Sequence, residues 1–271
     1  MHESIFAYRT GDGMRYLATV SYLGTDFCGF QVQPNVRTVQ GVLSEALNAL
    51  FGSTVSIQGC SRTDSGVHAM GSRVLICTDE SAPKIPASRL PLAIAPYLPF
   101  DLAITEAILV PDTFHVRHDV YKKQYVYILK NEPVHDPLTY GRAWQFPYTM
   151  PENALERMQE AAQYLVGEHD FASFMAAGSP VPHTVRHLYR LTVEREGTEY
   201  RFVLEADGFL YNMVRIIVGT LVDVAMGRIE PSYMQTLLTK KQRVLAGETA
   251  PPEGLYLAFV TYRDGAFDFK N

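Results

Sequence analysis

Hydrophobic residues in the first half of the chain recur with the spacings of short strands and of one clear helix. Period-two alternation or a β-rich composition predicts strands at 16–22, 55–60, 73–78 and 102–110. After the first strand, apolar residues repeat at helical spacing over 39–51, with Thr38 as the N-cap and Gly52 at the C′ position. A helical stretch interrupted by proline follows at 87–98. The predicted order of this half is βαββαβ.

The second half repeats this order of predicted elements. Strands are predicted at 123–129, 185–194, 200–206 and 255–262. Helices are predicted at 153–166 and 212–226, in the places that the order requires. One further helix, at 233–245, is additional to the repeat.

Two successive βαββαβ units predict a duplicated ferredoxin-like fold. We therefore expect an α+β protein with two ferredoxin-like, RRM-like domains at 14–111 and 112–265. Placed side by side, they would form one mainly antiparallel sheet with helices on one face. The central cleft between them is the default position for a functional site.

The composition excludes several classes of protein. A chain of 271 residues, 47% hydrophobic and 20% charged, forms a folded core and is neither a disordered tail nor a coiled rod. The net charge of -5 argues against indiscriminate binding of polyanions, so RNA has to bind at a local basic patch. Cys28, Cys60 and Cys77 are odd in number and show no CxxC spacing, which favours a reducing cytoplasm and no bound metal. Because no export signal or long apolar run is apparent, we expect no membrane association.

The segment 59–68 concentrates chemically active side chains between two predicted strands. It reads GCSRTDSGVH and contains a cation, an acid, hydroxyls and an imidazole. On local sequence alone a plain turn is the favoured interpretation, because Asp-Ser-Gly is good turn chemistry. The segment contains no GxSxG elbow, and the chain has no phosphate-binding glycine motif. His183 and His187 lack the glutamate of a zinc-binding HExxH motif and are interpreted as strand residues.

These residues resemble a known family, that of the tRNA pseudouridine synthase A enzymes. The block GCSRTDSGVHA is similar to the family signature around its catalytic aspartate, and further blocks match in the same order. They are YLGTDFCGFQ at 22–31, RTVQG at 37–41, FHVRHDVYKKQYVY at 114–127, GFLYNMVRIIVGTL at 208–221 and EGLYL at 253–257. The resemblance spans nearly the whole chain and agrees with the duplicated fold.

The resemblance implies the catalytic residues. Asp64 matches the essential carboxylate that acts at the sugar while the N-glycosidic bond of uridine breaks and uracil rejoins through C5. Arg215 matches the residue that pairs with this carboxylate, and we expect it to keep Asp64 ionised by lowering its pKa. Tyr125 matches the tyrosine that stacks on the target base, whereas Tyr127 is expected to be a core residue. The isomerisation needs no cofactor.

The resemblance also implies the partners. The substrate is the tRNA anticodon stem-loop at positions 38 to 40, and family members act as homodimers. Arg62 matches the residue that fills the space left by a flipped base, and Leu257 matches an apolar residue that packs on uracil. Arg117 and Lys123 are candidate phosphate contacts. Further basic residues cluster at 186–190 and 240–243.

Two alternatives stay open from the residues alone. A catalytically silent RNA-binding protein with paired RRM-like sheets would need stacking aromatics but not the set of Asp64, Arg62 and Arg215. An aspartate-dependent hydrolase would cleave a glycosidic bond and release the base, but such enzymes usually need two carboxylates. No second acid lies in the loop of Asp64.

Overall fold

The first half of the chain folds as its hydrophobic pattern predicts. The computed structural model describes residues 13–178 and 181–266. The elements of the first half are β1 (Arg15–Tyr22), α1 (Val39–Phe51), β2 (Ser56–Gly59), β3 (His68–Cys77), α2 (Leu90–Ile94) and β4 (Leu102–Leu109). Helix α1 begins at Thr38, whose side chain accepts a hydrogen bond from the Gly41 backbone amide, and ends at Gly52 in the left-handed conformation. Both predicted caps of this helix are confirmed.

The second half contains the predicted repeat and two strands that were not predicted. Its elements are β5 (Val120–Asn131), β6 (Trp144–Phe146), α3 (Ala154–Gln163), β7 (Gly167–Asp170), β8 (Val185–Glu196), β9 (Glu199–Ala206), α4 (Met213–Ala225), α5 (Tyr233–Lys240) and β10 (Leu255–Tyr262). Strands β6 and β7 have three and four residues, which is too short to show an alternation. The prediction of one helix over 233–245 is wrong at its end, because Lys241 adopts a left-handed backbone and a separate 3-10 turn follows.

All of these strands belong to one ten-stranded sheet. Its main order is β4-β1-β3-β10-β5-β9-β8-β7, with β2 paired to β3 and β6 paired to β5. Each half contributes its strands in the order of a ferredoxin-like unit, fourth, first, third, second. Among the strand pairs formed by the described residues, only β3–β10 and β5–β6 are parallel. The predicted α+β class with a large, mainly antiparallel sheet is confirmed, and the domain division at 111–112 stays a prediction.

The two halves meet where β3 changes partners along one edge. Residues 74–77 of β3 pair with β2, whereas His68 and Ala69 pair with Tyr256 and Leu257 of β10. Strand β3 begins five residues earlier than predicted because of this pairing across the halves. The loop 60–67, which joins β2 to β3, therefore starts and ends at the junction of the halves.

No described helix is long and apolar enough to cross a membrane. Within the same residues, no cluster of three or more His, Cys, Asp or Glu side chains could hold a metal ion.

Candidate active site

The loop 60–67 is held in place by hydrogen bonds from the first half. The Tyr22 hydroxyl lies 2.7 Å from Thr63 Oγ1, and the Phe30 amide donates to the Thr63 carbonyl at 3.0 Å. The Val67 amide donates to the Asp64 carbonyl, which closes a four-residue turn. The turn predicted from Asp-Ser-Gly is thus present, and it presents the Asp64 carboxylate at the junction of the halves.

Arg215 faces Asp64 from the first turn of α4. Its Nη1 lies 3.9 Å from Asp64 Oδ2, and the two side chains are 14% and 30% exposed. The guanidinium is oriented by its own hydrogen bonds, from Nε to the Ala250 carbonyl at 2.6 Å and from Nη1 to Asn212 Oδ1 at 2.8 Å. The structure therefore brings together the two residues that are most distant in the predicted catalytic set.

The pKa of Asp64 is shifted in the direction opposite to the expectation. Burial raises the pKa of this carboxyl above its ordinary value, and Arg215 opposes the rise without cancelling it. The expected lowering of this pKa by Arg215 is present, but the net shift is upward because the carboxylate loses more hydration than an ion pair at 3.9 Å returns. The carboxylate is consequently less strongly solvated than an exposed aspartate, which favours its reaction with an electrophile.

Tyr125 and Leu257 are cross-strand neighbours beside this pair. They lie opposite each other in the β5–β10 ladder. Burial raises the pKa of Tyr125 well above the ordinary range, and the nearby Tyr22, Cys60 and Asp64 raise it further. The phenol therefore stays neutral at any physiological pH.

Aromatic packing distinguishes Tyr125 from Tyr127. The Tyr125 ring packs edge-to-face on Phe209 at 5.0 Å, next to the start of α4. Tyr127 is fully buried, donates to the Pro251 carbonyl and packs against Trp144 and Phe202, as a core residue does.

The predicted RNA-contacting cations have unequal positions. Arg62 is exposed and makes a long contact of 3.4 Å with Gln31 Oε1, so its guanidinium is accessible to a substrate. Arg117 Nε donates to the Gly59 carbonyl and Lys123 Nζ donates to the Cys60 carbonyl, each at 3.0 Å. Burial lowers the pKa of Lys123. Both side chains thus bind the backbone where β2 ends and the loop 60–67 begins, and their contact with phosphate stays a prediction.

Other predicted basic residues are neutralised within the protein. Lys122 pairs with Glu205 at 2.7 Å, and Lys241 pairs with Asp170 at 2.8 Å. Counting basic residues along the sequence therefore overestimates the positive charge available to RNA.

Sequence reasoning gave no role to His68, although the residue lies in the signature block. It is fully buried, its Nδ1 accepts from the Gly24 amide at 2.9 Å, and its Nε2 lies 3.1 Å from the Glu253 carbonyl. These partners require a neutral ring with the proton on Nε2. The ring also stacks on Tyr256 at 4.6 Å, so His68 joins the end of the catalytic loop to both halves. No local signal could have indicated this, because all these partners except Gly24 belong to the other half.

An open cavity of about 740 Å³ lies beside the catalytic loop. Its lining comes from both halves and includes Ser65, Gly66, Tyr140, Trp144, Pro252 and Glu253. A cavity between the halves is therefore present next to the turn that carries Asp64, but Asp64, Tyr125, Arg215 and Leu257 are not among its lining residues.

Comparison with known proteins agrees with this site. The family model described as tRNA pseudouridine synthase matches residues 18–119 and 161–263, well over half of the chain. The chain belongs to this tRNA pseudouridine synthase family. Asp64 and Arg62 lie in the first matched segment and Arg215 and Leu257 in the second, whereas Tyr125 lies between the two segments.

Individual relatives of this synthase family extend the match over most of the chain. A protein of Oceanobacillus iheyensis named tRNA pseudouridine synthase A is 44% identical over 253 residues, which are 92% of this chain and 97% of the relative. A protein of Thermoanaerobacter sp. (strain X514) with the same name is 42% identical over 91% of this chain and 98% of its own length. Among solved structures, a Cbf5–Nop10–Gar1 complex matches 76% of this chain and 44% of its own at 12% identity, with a TM-score of 0.36. That likeness is too low to carry an argument.

Gly66 is a position of this synthase where a side chain should destabilise the loop. Its φ is +79°, and a Cβ would lie 2.9 Å from Cγ of Pro252. We expect Gly66→Ala to lower the free energy of unfolding by about 2 kcal/mol, measured by denaturant titration. Gly227 is the matched control, because its φ is +71° and a Cβ there would meet nothing within 4 Å. A loss at Gly66 no larger than that of Gly227→Ala would contradict the importance of the Pro252 contact.

Proposed function

We propose that this protein isomerises uridine to pseudouridine in tRNA with Asp64 as the catalytic carboxylate. The observation that carries the proposal is the Asp64–Arg215 pair of 3.9 Å, formed at the junction of two halves that both match the family. The names of the relatives, tRNA pseudouridine synthase A, support the same reaction. An RNA-binding protein without catalytic activity would gain nothing from a carboxylate held in a partly buried position.

The site supplies what the isomerisation requires. The carboxylate of Asp64 acts at the ribose, as nucleophile at C1′ or as the base that assists elimination, while the C1′–N1 bond breaks. The freed uracil turns, C5 bonds to C1′, and the proton from C5 is lost as N1 gains one, so the product has the atoms of the substrate. We propose that Tyr125 and Leu257, which are paired across β5 and β10 and are both buried, form the apolar surface against which the base packs. Arg215 orients the carboxylate throughout.

We propose the anticodon stem-loop at tRNA positions 38 to 40 as the substrate. A uridine in a stem has to leave the helix to reach a partly buried carboxylate, at a cost of a few kcal/mol. We propose that Arg62, which is exposed and lies two residues before Asp64, occupies the vacated space. Arg117 and Lys123 are proposed to lie under the RNA backbone near the loop. We also propose a cytoplasmic homodimer that works without a cofactor.

The experiment that tests this function uses purified protein and an unmodified tRNA transcript, without added metal or nucleotide. Chemical mapping of pseudouridine should give product at positions 38 to 40. Release of free uracil without pseudouridine would instead identify a glycosidic hydrolase. Binding of the transcript with neither product would favour the silent RNA-binding protein and contradict the proposal.

A further inference from the structure

Two tyrosines outside the catalytic set occupy β-bulges. They are Tyr121 on β5 and Tyr189 on β8, and both lie near the end of β9. Thr261 and Tyr262 of β10 pair with Lys122 and Val120, which leaves Tyr121 as the extra residue on β5. Tyr189 is likewise the extra residue between the paired Leu188 and Arg190 of β8. A bulge redirects a side chain relative to a regular strand and is frequent beside active sites. Both bulges therefore alter the direction of a tyrosine at the same end of the sheet.

The redirected rings meet although their strands are not neighbours. Strand β9 separates β5 from β8 but ends at Ala206, so the two outer strands extend beyond it. Over this gap the Tyr121 and Tyr189 rings lie 5.9 Å apart at an angle of 31°, and the His187 ring stacks on Tyr189 at 4.6 Å and 27°. We call these three residues, Tyr121, Tyr189 and His187, the ring platform.

The ring platform is accessible. Tyr121 is 49% exposed, and Tyr189 and His187 are half-buried. Nearly parallel rings that remain exposed offer aromatic faces on which another planar group can stack. A purely structural cluster would instead have buried these faces in the core.

Charged groups lie around the ring platform. They are Lys122, Arg190, Asp207 and Arg263. Burial raises the pKa of Tyr189, with Asp207 acting in the same direction and with Lys122 and Arg263 opposing it. Exposed Arg190 follows Tyr189 directly and lies opposite Glu205 in the ladder. Because Lys122 is already paired with Glu205, Arg190 and Arg263 are the cations that would let phosphates approach the platform.

Strand β5 carries both Tyr121 of the ring platform and Tyr125 of the candidate active site. Tyr121 precedes Tyr125 by four residues on the same strand, or about 13 Å, which is the length of about four stacked bases. On the other side, Arg186 beside His187 approaches Gly208, where a Cβ would lie 3.4 Å from its Nε. Gly208 directly precedes Phe209, on which the ring of Tyr125 packs.

We propose that the ring platform binds unpaired nucleotides of the RNA substrate near the target uridine by stacking on their bases. This inference rests on the proposed function for the identity of the substrate. Stacking of bases on aromatic side chains tolerates any sequence, because every base has a π-face. The platform would thereby hold a single-stranded part of the loop while the target nucleotide enters the cavity.

The test compares stacking with charge in equilibrium binding of a fluorescent anticodon stem-loop RNA. Tyr121→Ala and Tyr189→Ala should each raise Kd about tenfold, as expected for the loss of one stacked base. The dependence of Kd on salt should stay unchanged, because no phosphate contact is lost. Tyr189→Phe should bind like wild type, and Arg190→Gln should reduce the salt dependence. Tyr97→Ala is the matched control, because Tyr97 is also 49% exposed and lies outside the catalytic and RNA-contacting sets.

A second measurement uses the unchanged protein, so it does not depend on the folding of a variant. 2-Aminopurine placed about four nucleotides from the target position should lose fluorescence on binding, and the Tyr121→Phe and Tyr189→Phe variants should retain this quenching. Unchanged Kd in both Tyr→Ala variants with no quenching in wild type would overturn the platform. If the Tyr→Ala variants sedimented differently from wild type in the absence of RNA while their Kd for RNA stayed unchanged, the rings would be assigned to contact between copies of the protein. That result would also overturn the proposal. Neither readout requires pseudouridine formation, so failure of the catalytic proposal is detected separately.

Discussion

Replacement of Asp64 by Asn is expected to lower the rate of pseudouridine formation by more than about 10³-fold while tRNA binding is retained. The amide occupies the space of the carboxylate but can neither attack C1′ nor accept a proton. Single-turnover kinetics with excess enzyme measure this loss without interference from product release. Full turnover by Asp64→Asn would show that the reaction uses another group.

The same substitution should not destabilise the fold. Burial raises the pKa of Asp64, so the ionised side chain opposes folding at neutral pH, and its contribution to stability improves as the pH falls and the carboxyl gains a proton. Asn removes the buried charge, and we expect the melting temperature to stay the same or rise. The Asp119→Asn variant is the control for the loss of activity, because Asp119 lies outside the catalytic set. Its Oδ2 accepts a hydrogen bond from the His115 amide at 2.7 Å. That variant should retain activity.

Replacement of Arg215 by Met is expected to shift the acid limb of kcat/KM to higher pH and to lower kcat/KM at neutral pH by about 10²-fold. The sign follows from the two influences on Asp64, since burial raises its pKa and Arg215 lowers it. Without the guanidinium only the raising influence stays, so a larger part of the enzyme is protonated and inactive at a given pH. The pH profile of kcat/KM measures this directly.

Two further variants separate charge from geometry at this position. Arg215→Lys keeps a positive charge but loses the oriented Nε contact with the Ala250 carbonyl. The acid limb of its kcat/KM profile should therefore return closer to the wild-type position than its kcat returns to the wild-type value. Arg228→Met is the matched control, because Arg228 follows the end of the same helix, pairs with Asp223 of that helix at 2.7 Å and is 56% exposed. An acid limb that does not move in Arg215→Met would refute electrostatic control of Asp64 by Arg215.

Several features of the fold could be predicted because their causes are local. Thr38 and Gly52 define helix α1 through hydrogen bonds and backbone angles within a few residues. The spacing of apolar residues likewise predicted the principal strands of both ferredoxin-like units. The shortest strands, β6 and β7, could not be predicted, because three or four residues are too few to show an alternation of apolar and polar positions.

Candidate site residues were found through motif resemblance, and their geometry needed the fold. The sequence contains Asp64 and Arg215 about half the chain apart, and only the β3–β10 junction explains why they meet. Lys123 shows most clearly that the sequence did not predict the contacts of a candidate site residue. Its position in a basic segment suggested phosphate binding, yet its ammonium donates to the Cys60 carbonyl of the catalytic loop.

By itself, the sequence determined the repeated βαββαβ order and the turn at Asp64, because periodicity, capping and turn chemistry act between near neighbours. The tertiary structure alone decided the direction of the Asp64 pKa shift, the partners of His68 and the meeting of Tyr121 with Tyr189. Each of these depends on desolvation or on strand pairing between distant segments. Such interactions exist only once the two halves have joined into one sheet.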